Sequence, residues 1–187
     1  MGYSGGTTDS PTYYSLGEHS ETVEVDYDPT VITYDDLLDI FWTSHDPTIV
    51  TYSKQYKSVI FYHNDEQKTL AELSKEQEEA RRGKKIQTEV VPFSAFHMAE
   101  DYHQKYYLQQ DGEIMNEFKA IYGTKGEFFN SMAAARINGL LGGNGTVEAL
   151  REQIDTFGLS AVKQQRLLEI LGVGPLANTN SGLCPLF

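Results

Sequence analysis

The chain reads as an α/β (α+β) fold: a mixed unit of strands and helices over residues 1–108, then a helical extension over residues 109–173. Three observations predict this. The run T-V-E-V-D-Y at residues 22–27 alternates strictly, as a half-buried strand does. The run S-V-I-F-Y at residues 58–62 is continuously apolar, as expected of a central strand covered on both faces. Elsewhere apolar residues recur at spacings of three and four, the period of helices that pack by one stripe.

Taken in order, residues 2–17 are turn-rich, with Gly5-Gly6, Ser10-Pro11 and Gly17 as breakers. The strand at 22–27 places Val23, Val25 and Tyr27 on one face, and Asp28-Pro29 ends it. Residues 33–45 predict a helix capped by Thr33, with Asp35 and Asp36 complementing its positive end. Tyr34, Leu37, Leu38, Phe41 and Trp42 form its packing stripe. After the apolar strand, Asn64 caps a long charged helix to about Arg82, with Gln67 placed for a capping box. Residues 86–91 predict a third strand stopped by Pro92, and residues 99–108 a helix. Beyond Gln109, helices are expected over residues 111–121, 130–141, 146–156 and 160–171, and residues 174–187 read as a flexible tail.

The 187 residues suffice for one medium domain, or a domain with an appendage, and 40% hydrophobic content suffices for a core. Net charge is -12, and residues 1–53 hold ten acidic side chains with no Lys or Arg. Such a surface repels phosphates and anionic lipid, so neither nucleic acid nor membrane is an expected partner. A single cysteine, Cys184, excludes an intramolecular disulfide framework. No histidine pair has ligand spacing, so no metal is expected. No apolar run approaches the ~20 residues of a membrane span. The start shows no basic-then-apolar leader, and the expected address is the cytoplasm.

Among the polar residues, Glu21 stands out from pattern alone. It shares the parity of Val23, Val25 and Tyr27, so it points to the apolar side where the strand begins. A carboxyl facing a dry pocket holds its proton to higher pH, which suits a general acid.

Several short segments then carry a resemblance: the G-Y-S-G-G turn that opens residues 2–21, with P-T-Y and E-H-S-E inside it; His45-Asp46-Pro47; Gln55-Tyr56; and A-E-D-Y-H-Q-K-Y at residues 99–106. In order and rough spacing they resemble the A-type peptide methionine sulfoxide reductases, the MsrA family. The resemblance covers residues 2 to about 108. It implies a mixed-sheet two-layer sandwich and reduction of methionine-S-sulfoxide in peptides and proteins. The implied reductant is thioredoxin or another thiol, with no bound cofactor. Tyr13 and Tyr56 fall on family positions that bind the sulfoxide oxygen, and Glu21 on the position of the acid. His19 and His103 fall on substrate-rim or supporting positions, with Glu100 and Asp101 as hydrogen-bonding supports.

The chemistry explains why such a set is needed. A thiolate attacks the sulfoxide sulfur while the oxygen is protonated and leaves as water. A neutral carboxylic acid supplies a proton, and phenol hydroxyls orient the oxygen and stabilise its charge. The attacking sulfur becomes a sulfenic acid that a second thiol resolves.

Two departures matter. The family carries its nucleophile in a G-C-F-W motif upstream of the Gly-rich turn, and Met1 stands at that turn here. The expectation is a sandwich without its first strand–helix unit, with the motif encoded before Met1 in the complete protein. The second departure is Thr51-Tyr52-Ser53-Lys54, which replaces a Gly-Asn-Asp stretch, so the family's Asp has no counterpart. Cys184 remains as a candidate resolving thiol, or as the nucleophile itself in a third reading. The alternative to an enzyme is a catalytically inactive relative that binds a sulfoxide or a partner.

Overall fold

The computed structural model describes residues 1–172 and is a mixed α+β structure of small sheets and many short helices. The chain divides into two compact units, Met1–Asp101 and Tyr102–Phe187. The candidate tail at 174–187, Cys184 included, lies outside the described residues.

In the first unit, β1 (Gly2–Ser4) is the middle of a three-stranded antiparallel sheet, flanked by β2 (Ser20–Thr22) and β5 (Phe96–Met98). Tyr3 faces Glu21 on one side and His97 on the other. A second sheet pairs β3 (Val59–Tyr62) with β4 (Glu89–Pro92) in parallel, Ile60 opposite Val90. Helix α1 (Tyr34–Thr43) begins in a full capping box between Thr33 and Asp36. Helix α2 (Asp65–Arg82) begins at Asn64, whose side chain accepts from the Gln67 N–H, and ends on Gly83 in the left-handed conformation. Gln67 reaches back one residue further than a capping box requires, to the His63 N–H.

The core of this unit is small. Leu38 and Trp42 from α1, Ile60 from β3, Ala71 from α2 and Ile86 are buried together. The Trp42 indole N–H donates to the Ser74 hydroxyl at 3.1 Å, which satisfies the polar end of a buried ring. Glu78 is the charged residue beneath this core. It is 7% exposed and takes a two-pronged grip from Arg81 (2.6 and 2.7 Å) and a further bond from Arg82. Arg82 also donates to the Trp42 carbonyl, so the cluster ties α2 to the end of α1.

Three sequence expectations change here. The alternating run at 22–27 is a strand only as far as Thr22; residues 23–27 belong to no regular element. The alternation is local, whereas a ladder needs a neighbouring chain, and β2 has one only on its β1 side. The apolar run at 58–62 is likewise paired on one side only, an edge rather than a central strand. The helix expected at 99–108 is interrupted: Asp101–His103 is a single 3₁₀ turn, Lys105 adopts a positive φ of 49°, and α3 (Tyr106–Gln109) follows.

The second unit is helical. It contains α4 (Gly112–Ile121), α5 (Lys125–Phe129), α6 (Met132–Leu141), α7 (Val147–Gln153) and α8 (Ala161–Ile170). Asp111, Thr124, Ser131 and Thr146 cap α4 to α7 through their side chains. Asp111 also receives Arg166 of α8, which ties the first and last helices of this group. The core is one continuous cluster that includes Leu108, Ile114, Phe118, Phe128, Ile137 and Leu167.

Candidate active site

The site is assembled at the outer edge of the three-stranded sheet. Glu21 sits in β2, half-buried, and its backbone N–H donates to the Gln55 carbonyl at 2.9 Å. The Gln55 side chain returns the contact, its amide donating to Glu21 Oε1 at 2.7 Å. One residue on, Tyr56 stands beside them with 56% of its surface exposed. The neighbouring Tyr13 hydroxyl holds the Tyr56 pKa above the ordinary phenol value. Partial burial and the charge of Glu21 push it the same way, in that order. Glu21, Tyr13 and Tyr56 are thus gathered in one place, although Tyr56 comes 35 residues after Glu21 and 43 after Tyr13 in the sequence.

The turn that carries Tyr13 is held from two directions. Glu100 accepts from the Tyr3 hydroxyl at 2.7 Å with one oxygen and from the Tyr13 backbone N–H at 3.0 Å with the other. Tyr3 is 1% exposed, so this carboxylate links the buried centre of the sheet to the turn. On the other side, His19 lies within the turn at 2% exposure. Its Nδ1 accepts from the Gly6 N–H at 3.1 Å, and its Nε2 lies 2.9 Å from the Thr8 carbonyl, which can only accept. The ring is therefore the neutral Nε2–H tautomer, with both nitrogens engaged by backbone. Both ring nitrogens thus hold the backbone of the turn together. A Cβ at Gly6 would sit 2.4 Å from the His19 ring, so the close approach needs glycine there.

The remaining sequence candidates are placed less centrally. Asp101 is exposed in the 3₁₀ turn, and His103 belongs to the second unit, its ring 4.2 Å from that of Tyr102. Cys184 lies outside the described residues, and residues 1–172 contain no cysteine. Among the described residues no cluster of His, Cys, Asp and Glu could hold a metal ion. Among the described residues no helix is long and apolar enough to cross a membrane.

Where the family's Gly-Asn-Asp stretch is replaced, Lys54 pairs with Glu18. Glu18 has a φ of 71°, a conformation that glycine adopts freely, and it stands first in E-H-S-E.

Beside Glu21 and Tyr56 opens a groove of about 550 Å³. Its walls include Val23, Val25, Phe41, Val59 and Phe61, and His45 looks into it. His45 is fixed by the Phe41 carbonyl at 3.0 Å and by the Ser58 hydroxyl at 2.8 Å, which joins α1 to β3. Sequence reasoning quoted Gln55 and His45 within motifs without giving them roles, and it passed over Tyr3. The adjacency of Gln55 to Tyr56 was the available sign for the first.

A sequence model of the family described as peptide methionine sulfoxide reductase matches residues 1–130. The chain belongs to the peptide methionine sulfoxide reductase family. Similar members of this family include a peptide methionine sulfoxide reductase of Drosophila melanogaster, 40% identical over 167 residues. That alignment covers 88% of this chain and 67% of the fly protein. The MsrA of Methanosarcina acetivorans is 48% identical over 127 residues, covering 62% of this chain and 67% of its own. A crystal structure of Mxr1 from Saccharomyces cerevisiae in reduced form superposes with a TM-score of 0.54 at 34% identity, over 59% of this chain and 68% of that one. The chain thus spans about two thirds of the length of these family members. The match to the fly reductase extends past residue 130 into the helical unit, where the family model stops.

Proposed function

We propose that this chain carries the sulfoxide-binding and proton-donating half of a methionine-S-sulfoxide reductase that acts on oxidised methionine in peptides and proteins. The observation that supports this is the grouping of Glu21, Tyr56 and Tyr13. The Glu21 carboxyl, positioned by Gln55, lines one groove with Tyr56, and both Tyr13 and Glu21 lie close enough to the Tyr56 phenol to raise its pKa.

In the reaction, the two phenols hold the sulfoxide oxygen and Glu21 gives it a proton. A thiolate forms a bond to the sulfoxide sulfur, and the oxygen, twice protonated, leaves as water. Water then attacks the enzyme's sulfur, which releases the methionine thioether and leaves a sulfenic acid. A second thiol converts that acid to a disulfide, and thioredoxin or another thiol supplies the two electrons that reduce it. Residues 1–172 contribute no thiol, so the attacking sulfur comes from elsewhere. Cys184 has no basic residue next to it in sequence to favour its thiolate.

That same lack of a cysteine favours a second reading, a relative that binds the sulfoxide or a partner without turning it over. A peptide containing methionine-S-sulfoxide separates the two. Turnover with thioredoxin or dithiothreitol that falls about 100-fold in Glu21→Gln with binding retained supports the enzyme. Binding without methionine formation, weakened about tenfold in Tyr56→Phe, supports the binding relative. Full activity in Cys184→Ala excludes Cys184 as nucleophile. A peptide that neither binds nor reacts defeats both readings.

A further inference from the structure

The described residues include Asn64, Asn116, Asn130, Asn138 and Asn144. Asn138 and Asn144 are each followed by glycine, and the helical unit treats the two in opposite ways. Asn138 lies inside α6, where its side-chain oxygen accepts from the Leu108 N–H at 3.2 Å. The Gly139 N–H is spent in the ladder of the same helix. The other three are restrained as well. Asn64 accepts from the Gln67 N–H, Asn116 lies inside α4, and the Ser131 N–H that follows Asn130 donates to the Phe128 carbonyl.

Asn144 is different. It lies in the turn between α6 and α7, and both it and Gly145 are exposed. Its backbone N–H donates to the Gly139 carbonyl at 2.9 Å, and its side-chain amide donates to the Gly142 carbonyl at 3.3 Å. Among the described residues the Gly145 N–H has no acceptor. Gly145 has a φ of 96°, and with no side chain it leaves its nitrogen open to the preceding residue.

We infer that Asn144 is a deamidation site, where the chain turns its own amide into a carboxylate with water as the co-reactant. The Gly145 nitrogen, once deprotonated, bonds to the side-chain carbonyl carbon of Asn144. The bond from that carbon to the side-chain nitrogen breaks, and the nitrogen takes up a proton and leaves as ammonia. Water then adds to either carbonyl of the cyclic imide and breaks its bond to the ring nitrogen. The product is aspartate, or isoaspartate with a main chain one methylene longer, and no electrons are transferred. Each event adds one negative charge to a chain of net charge -12. The new carboxylate stands on a cleft of about 250 Å³ lined also by Arg136, Leu140, Leu150 and Phe157. Arg136 is the charged side chain of that lining and bonds to the Gln153 amide oxygen at 2.6 Å. The change therefore gives a cationic cleft an anion, independently of the sulfoxide reading.

The test incubates the full chain, folded, in mildly alkaline buffer and maps it by mass spectrometry. Cleavage beside Leu140 and Leu141 puts Asn138 and Asn144 on separate peptides. The Asn144 peptide gains the mass of an amide-to-acid exchange at least about tenfold faster than the Asn138 peptide, which reacts only when the helix opens. In denaturant the two react within about a factor of three of each other. The rate climbs with pH, because the attacking nitrogen must first lose its proton. An isoaspartyl methyltransferase labels the Asn144 peptide, which separates the imide route from direct hydrolysis. Asn144→Gln, whose longer side chain has to close a larger ring, abolishes the gain and leaves the thermal midpoint and methionine-S-sulfoxide binding unchanged. Equal rates at Asn138 and Asn144 in the folded chain overturn the proposal. So does an Asn144 peptide that stays intact when folded and reacts only in denaturant, or one that gains mass without methyltransferase labelling.

Discussion

The two units bury their apolar residues in opposite ways. The helical unit closes on one continuous cluster, with Ile114, Phe118, Ile137 and Leu167 all removed from water. The first unit buries a smaller group around Trp42 and leaves Val23, Val25 and Tyr56 facing a groove. Helices satisfy their own backbones, so their cores can be closed by side chains alone. Strand edges cannot, and the unit that holds the candidate site keeps open edges beside it. The larger closed core and the candidate site thus lie in different units of this chain.

The strongest way to break that contrast is to cut into the closed core. Phe118→Ala is expected to cost about 3–5 kcal/mol in denaturant unfolding, while Val25→Ala on the groove wall costs less than about 0.5 kcal/mol. Equal losses would remove the distinction.

Next comes Glu78. Arg81, and then Arg82, hold its pKa down from 4.5 to about 2 against the opposing effect of burial. A carboxyl depressed in the folded state stabilises above its unfolded value, and that contribution disappears as pH falls from about 4.5 through about 2. Glu78→Gln is expected to cost about 2–3 kcal/mol at neutral pH and to flatten the acid limb of the stability curve over that window. An unchanged acid limb would show that the arginine grip is not maintained in solution.

Tyr3→Phe removes one bond from Glu100 and is expected to cost about 1–2 kcal/mol. If Glu100 holds the turn as described, the same change also loosens the proposed sulfoxide site, seen as weaker binding of a methionine-S-sulfoxide peptide. A loss of stability with binding unmoved would make the contact purely structural. The smallest effect, with the opposite sign, is Glu18→Gly. Relief of the positive φ is expected to outweigh an exposed ion pair and to raise the thermal midpoint by about a degree or two.

What could be read in the sequence follows the range of each interaction. Thr33 with Asp36 and Asn64 with Gln67 lie within a few residues of each other, so α1 and α2 were legible to within a residue or two. The run at 22–27 was misjudged because a strand is completed by a neighbour that the local pattern does not specify. β1 and β5 are three residues each and join over most of the first unit, so neither announced itself. α5 was passed over although Thr124 and Glu127 form a capping box that a closer reading would find. For the site, parity alone placed Glu21 on the apolar side; the groove it lines takes in Thr22 and Glu24 as well as Val23 and Val25, so the alternation does not separate a dry face from a wet one there. Tyr13 and Tyr56 were singled out by resemblance alone, since twelve tyrosines give no physical ground for choosing two.

The Glu100 clasp has a consequence for the birth of the protein. Glu21, Tyr13 and Tyr56 are all made in the first third of the chain, but the carboxylate that fastens the Tyr13 turn to Tyr3 comes 97 residues after Tyr3. Contacts of such long sequence separation form late, because the intervening loop must be closed first. During synthesis the acid and both phenols therefore leave the ribosome well before their arrangement can be locked. A chain stalled short of Glu100 would carry every one of these side chains and still hold the Tyr13 turn by one clasp fewer.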